Sequence, residues 1–357
     1  MKNFLRTRFF DSCSANRKSK TCPEPCRRIQ NRKWAGIFAI VVALTVCGAR
    51  AEAQQAAKIP RLGLLTVGSS TSFSTRIDGF RQRLRELGYI EGRNIVIEYR
   101  YAEGKEDRLP DLAAELVRLK VDVIVVGGGN ATLAAKKATR TIPIVMAVAS
   151  DPVGSGLVAS LARPGANITG STLINPDLSG KRLELLKEVV PGVTHVAVLV
   201  YRENPAAILI LKETETAAQL LGLQLQILEL RGSDELENAF GLLRKGRSNA
   251  IDVLSSAFFA AQRNKIVELA AKTRLPAVYD NNLFVEAGGL MSYGADIDDL
   301  YRRAAVFVDK ILKGTKPAEL PVEQPMKFEF IVNLKAAKAI GLTIPPNVLV
   351  RADRVIK

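Results

Sequence analysis

The sequence predicts an α/β protein of two lobes, each a doubly wound parallel sheet with helices on both faces. Three observations carry that prediction. Short runs of Val, Ile and Leu alternate with amphipathic segments whose apolar residues recur every three or four positions. The apolar runs are near-continuous, as in strands buried on both faces. The same strand–helix grammar restarts after residue 173, giving two runs of similar length. A chain of 357 residues with 47% hydrophobic side chains has material for about two such cores.

The N-terminus is a separate piece. Residues 1–53 carry 11 Lys and Arg against 3 Asp and Glu, together with all four cysteines and the one tryptophan. A basic stretch ends at Arg32-Lys33, an apolar run spans 34–47, and Ala51-Glu52-Ala53 follows. Basic, apolar and small-residue parts in that order read as a secretory signal peptide cleaved after Ala53. The apolar run falls short of the roughly 20 residues of a stable bilayer span. Leu44-Thr45-Val46-Cys47 approaches a lipid-attachment box, but Val46 is too large for the position before its cysteine. The expectation is an exported protein.

Along the remaining chain, 62–67 reads as a buried strand. Helix 74–87 follows, with Ile77, Phe80, Leu84 and Leu87 on one stripe and Gly88 as its left-handed stop. Strand 94–100, helix 107–119, strand 121–126, helix 130–139 and strand 143–148 continue the alternation. A short helix is expected over 153–162 and a fifth strand over 168–173. The second run reads as helix 178–190, strand 195–200, helix 205–221, strand 224–230 and helix 233–245. It continues with strand 250–254, helix 259–273, strand 276–279, a strand near 289–292 and helix 297–313. Strand 327–332 and helix 333–340 come last. Asp298-Asp299 lie in a first helical turn, where acids complement the dipole.

Several chemistries are excluded or disfavoured. Residues 54–357 contain no cysteine, so a thiol catalyst, a thiolate metal site and a disulfide scaffold are ruled out there. His195 is the only histidine, which removes mechanisms that need two. There is no G-x-S-x-G elbow and no phosphate-binding G-x-x-x-x-G-K-[ST] loop. Gly127-Gly128-Gly129 follows a strand as in a dinucleotide turn, but Thr132 occupies the third glycine position. No cofactor is expected. The 40 basic and 33 acidic residues after position 53 are interspersed, which reads as a solvated mixed surface and not as a nucleic-acid footprint.

What remains is a set of small polar groups at the ends of strands: 68–71, 128–132, Ser150-Asp151, Tyr201, Ser255-Ser256 and Tyr279-Asp280. Ligands of open parallel sheets bind at the carboxyl ends of strands, where helix N-termini offer free N–H groups. Two lobes facing each other with such edges form a cleft that can close by hinge motion.

Six stretches carry a resemblance: Leu87-Gly-Tyr-Ile-Glu-Gly-Arg-Asn94, Ala149-Ser-Asp-Pro-Val-Gly-Ser-Gly-Leu157, Leu161-Ala-Arg-Pro-Gly-Ala-Asn-Ile-Thr-Gly170, Val285-Glu-Ala-Gly-Gly-Leu-Met-Ser-Tyr-Gly294, Glu323-Gln-Pro325 and Ala339-Ile-Gly-Leu-Thr-Ile-Pro-Pro346. From Ile59 to Lys357 the chain resembles the periplasmic substrate-binding proteins of ABC transporters, in the subgroup that includes tryptophan and other aromatic-amino-acid binders. The resemblance implies the type I periplasmic binding fold, with three crossings between lobes near 173–180, 286–291 and 318–326. Lobe 1 would hold 58–172 plus 291–320, and lobe 2 would hold 173–290 plus 321–357. It implies no enzyme, but a monomer that captures a small solute and delivers it to a membrane ABC permease. A binding protein reporting to a membrane receptor is the alternative, and an exported enzyme a more distant one. For an amino acid, Ser70, Thr71, Asn130 and Thr132 are the candidates for the carboxylate. Asp151 and then Asp280 are the candidates for the ammonium. Tyr201, Tyr279 and Tyr293 are candidates for stacking, and Ser255 is a further lining residue.

Overall fold

The computed structural model describes residues 58–71 and 73–357. The expected signal peptide and its cleavage after Ala53 lie outside these residues.

The first lobe is a five-stranded parallel sheet in the order β2-β1-β3-β4-β5. It is built from β1 (Arg61–Thr66), α1 (Ser74–Glu86), β2 (Val96–Tyr101), α2 (Leu109–Arg118), β3 (Val123–Gly127), α3 (Gly129–Ala138), β4 (Ile144–Val148) and β5 (Ile168–Gly170). Every residue of β3 and β4 is buried, as their unbroken Val/Ile composition requires when helices cover both faces. α1 ends where Gly88 turns left-handed at φ 93°, and the Tyr89 N–H returns to the Leu84 carbonyl.

The second lobe is a seven-stranded sheet in the order β12-β11-β10-β9-β8-β6-β7. Its chain runs α4 (Asn175–Val189), β6 (His195–Tyr201), α5 (Ala207–Leu221), β7 (Gln224–Leu230), α6 (Leu236–Lys245), β8 (Ala250–Val253), α7 (Ala257–Ala261), α8 (Arg263–Thr273), β9 (Ala277–Tyr279), α9 (Asn282–Glu286) and β10 (Met291–Ala295). The chain then leaves for the first lobe as α10 (Ile297–Leu312). It returns as β11 (Phe328–Asn333), α11 (Leu334–Ala339), α12 (Pro346–Arg351) and β12 (Arg354–Ile356). β11 pairs antiparallel with β10, and every other pairing in this sheet is parallel.

α10 packs on α1. Ile297, Leu300, Tyr301, Ala304, Phe307 and Val308 meet Ile77, Phe80 and Leu84 in one buried cluster. Asp296 caps α10 by accepting the Asp299 N–H at 3.0 Å, and Asp298 and Asp299 occupy its first turn.

Four expectations are corrected. Residues 291–295, assigned to lobe 1 with 291–320, form β10 inside the lobe 2 sheet, so the return to lobe 1 begins after Ala295. Residues 153–162 make turns and no helix, because Asp151 accepts the Gly154 N–H, Gly156 takes φ 66°, and the Leu157 and Val158 amides fold back to Pro152. The single helix over 259–273 is two, broken at Gln262. The fifth strand stops at Gly170, where Ser171 and Thr172 turn to pair with Glu323.

Candidate functional site

The carboxyl ends of both sheets face each other across the cleft, and a narrow cavity of about 50 Å³ lies between them. Ligand pockets run to roughly 300–1,000 Å³, so the space between the lobes is narrower here than a bound solute needs. Lobe 1 supplies Phe73, Arg76, the Gly127–Gly129 turn, Ser150 and, from the start of α10, Ile297. Lobe 2 supplies Asn204, Ser255, Ser256, Asp280 and Asn281.

Arg76 is the charged group of the lobe 1 wall. It is only 3% exposed, yet its Nε and Nη2 have no hydrogen-bond partner. Its guanidinium lies 5.3 Å from the centre of the Phe73 ring and 3.7 Å from the Asp298 carboxylate. Burial pushes the Arg76 guanidinium below its ordinary range, against the pull of Tyr301, Asp298 and Asp280. A buried cation with two free donors is a ready receptor for a carboxylate.

Asp280 is the charged group of the lobe 2 wall, 5% exposed at the end of β9. The Asn281 side-chain amide donates to it at 2.6 Å. Asn281 must point this way, because its Oδ1 caps α9 by accepting the Leu283 N–H at 3.1 Å. Burial pushes the Asp280 carboxyl up. The Ser255 hydroxyl, Arg182, Arg76 and Asn281 hold it down. The cavity thus has a cation on one lobe facing an anion on the other.

Closure leaves marks in the backbone. Gly128 sits at φ 106°, a region L residues rarely adopt, and a Cβ there would lie 2.9 Å from the Ala257 Cβ of the opposite lobe. At the cleft mouth Tyr201 donates to Glu106 of lobe 1 at 2.9 Å, and Asn130 donates to the same carboxylate oxygen. Burial pushes the Glu106 carboxyl up, against those two donors. A more open cavity of about 570 Å³ lies around this contact.

Residues 63–356 match the family described as ABC transporter substrate binding protein. The chain belongs to that family. It has the type I periplasmic binding fold, an α/β architecture shared with its structural relatives. A tyrosine-binding protein from Clostridioides difficile (strain R20291) is 25% identical over 286 residues, covering 80% of this chain and 82% of that one. A conserved domain protein from Vibrio cholerae superposes with a TM-score of 0.79 at 27% identity, over 84% of this chain and all of that one. An ABC domain from Streptococcus pneumonia in complex with L-Trp gives 0.78 at 27% identity, over 83% of this chain and 99% of that one.

In this substrate-binding protein, two of the ten candidates from sequence, Ser255 and Asp280, line the central cavity. Ser70 and Thr71 are exposed, and Thr71 borders a shallower pocket outside the cavity with Arg263 and Glu286. Asn130 is engaged by Glu106 at the mouth, as is Tyr201, which also stacks on Phe258 at 4.2 Å. The Thr132 hydroxyl is spent on the Gly128 carbonyl one turn back in α3. Asp151 caps its own turn through Gly154. Tyr279 is buried against Phe284 at 4.5 Å, and Tyr293 packs on the lobe 2 core. The sequence reading missed Phe73, Arg76, Asn204 and Asn281. A usable signal existed for Arg76, which shares its helix face with Phe80 and Leu84 at four-residue spacing.

Proposed function

We propose that this protein is the extracytoplasmic solute-capturing component of an ABC importer, and that its solute is an α-amino acid delivered to a membrane permease. The observation that carries the amino-acid reading is the pairing of Arg76 with Asp280 across the cavity. A zwitterion placed between them satisfies both walls at once. Its carboxylate takes the free Nε–H and Nη2–H of Arg76 beside the opening turn of α3, where helix amides lack internal partners. Its ammonium donates to Asp280 and the Ser255 hydroxyl. Phe73 and Ile297 offer the side chain apolar contact.

The relatives support an aromatic side chain, since one is named for tyrosine and another holds L-Trp. The basic and apolar N-terminal segment supports export to the periplasm. Ligand capture couples to cleft closure, because Arg76 and Asp280 lie on different lobes and meet one small molecule only when the lobes are together.

The test is a thermal-shift screen of residues 54–357 against amino acids, sugars, purines and organic acids. A ligand at 100 times its Kd should add about 2.7 kcal/mol of stability. Hits confined to amino acids, and lost in Asp280→Asn, are the expected result. Hits confined to sugars or purines would overturn the reading.

A further inference from the structure

Behind the cavity wall, Arg182 of α4 is fully buried, with 0% of its surface exposed. It does not line the cavity, yet it begins a hydrogen-bond chain that ends there. Its Nη2 donates to the Asn175 carbonyl at 3.1 Å and faces the Ser179 hydroxyl at 3.3 Å. Its Nη1 donates to the Asn175 Oδ1 at 3.4 Å. A guanidinium can only donate, so this contact fixes which end of the Asn175 amide is oxygen. The Asn175 Nδ2 is thereby turned to the cleft, where it donates to the Ser255 Oγ at 2.6 Å and approaches the Ser150 Oγ at 3.4 Å. With its oxygen accepting from Asn175, the Ser255 hydroxyl is left to donate its own hydrogen, and it faces Asp280. Both observed links point the same way, from Arg182 through Asn175 to Ser255, which lines the cavity together with Asp280.

Asn175 also begins α4, directly after the first crossing between lobes, and Ser150 belongs to lobe 1 while Ser255 belongs to lobe 2. The preceding Ile174 is held left-handed at φ 46°, a costly conformation for a β-branched residue that only firm anchoring of its neighbours maintains.

We propose that Arg182 is the positioning residue of the ligand site, fixing the polarity of the Asn175–Ser255 chain and holding Asp280 as the ionised acceptor of the ligand's ammonium. The inference rests on the amino-acid reading of the cavity. The charged groups facing Asp280 are Arg182 of α4 and Arg76 of α1. Arg182 is also shared with Asp252 of β8, and Arg76 with Asp298 of α10 and Arg263 of α8. Asp252 is fully buried with both oxygens unpartnered, and burial pushes its carboxyl up to about 6. Arg182 is thus the cation that supports the Asp280 carboxylate from within lobe 2, next to the Ser255 hydroxyl.

The test is the Kd for L-tyrosine and L-tryptophan between pH 4 and 8, in the wild-type chain and three variants. Arg182→Met with Asp252→Asn removes the cation without leaving a carboxylate beside the vacated site. Arg182→Lys keeps a cationic donor. Asn175→Asp removes the donor to Ser255 while leaving Arg182 an ion-pair partner. Affinity falls in acid as Asp280 is protonated. That fall should begin about one pH unit higher in the Met/Asn pair and in Asn175→Asp, which is about a tenfold weaker Kd at a pH below both midpoints. Arg182→Lys should follow the wild type. A merely structural role would weaken binding equally at all pH values. A wild-type pH profile in Asn175→Asp or in the Met/Asn pair overturns the proposal, and so does an Arg182→Lys profile that moves with them. If the wild type binds neither amino acid, the reading of the cavity falls first and the inference falls with it.

Discussion

Replacing Arg76 by methionine should make the ligand-free protein at least as stable and the ligand far weaker, and those opposite signs are diagnostic. Arg76 is 3% exposed with two donors unpartnered, and each unsatisfied buried donor costs about 1–3 kcal/mol. The Asp298 contact is 3.7 Å long and Asp298 is 41% exposed, so it returns little of that cost. Methionine fills a similar apolar volume against Phe73 and removes the penalty. The ligand's carboxylate, by contrast, loses a buried charged partner, a change that typically costs about 2–5 kcal/mol. At about 1.4 kcal/mol per decade, that is roughly a thirtyfold to several-thousandfold increase in Kd. Urea unfolding of the free protein gives the first quantity, and calorimetric titration with L-tyrosine or L-tryptophan gives the second. A large loss of stability with an unchanged Kd would show that Arg76 braces the fold and does not receive the ligand.

Two further outcomes follow from the same geometry. Tyr201→Phe removes the hydroxyl that joins lobe 2 to Glu106 of lobe 1. The closed form loses a bond worth about 1 kcal/mol, so the Kd should rise by up to about fivefold; an unchanged Kd would show that the contact takes no part in holding the lobes around the ligand. Asp252, raised from 3.8 to about 6, keeps its proton in the folded chain between about pH 4 and 6 while the unfolded chain has released it. This group therefore makes the fold less stable as pH rises through that window, by roughly 2–3 kcal/mol in total. Urea midpoints of wild type and Asp252→Asn should diverge from pH 4.5 to 7.5, with the Asn variant gaining at the higher pH. Parallel curves would contradict the assignment.

Much of the fold was legible because it depends on local pattern. The all-apolar strands β3 and β4, the stripe of α1 and the acidic first turn of α10 state their burial in their own residues. The errors fell where partners distant in sequence decide. β10 carries Ser292, Tyr293 and Gly294 and reads as a weak strand, but its place between β9 and β11 is set by pairing with residues up to Val332. Residues 153–162 have helical composition at Leu157, Val158 and Leu161, yet Gly154, Gly156 and the Asp151 cap favour turns.

Little of the site was legible, for the same reason. Strand ends pointed to Ser255 and Asp280. They equally pointed to Tyr279, one residue earlier, whose ring turns into the core because successive strand residues face opposite ways. Arginine within a helix is ordinarily solvated, so residue type alone does not mark Arg76. Its face, shared with Phe80 and Leu84, was the clue that it is not solvated. The closing contacts of Gly128 with Ala257 and of Tyr201 with Glu106 belong to the meeting of two lobes, which no single segment encodes.

The central claim is that Arg76 and Asp280 together select a zwitterion. Its most direct test is calorimetric titration of the wild-type protein with L-tyrosine, with tyramine, which lacks the carboxylate, and with 3-(4-hydroxyphenyl)propionate, which lacks the ammonium. Each analogue leaves one buried charge unmatched, so each should bind at least about thirtyfold more weakly than the amino acid. Either analogue binding as tightly as L-tyrosine would contradict the account.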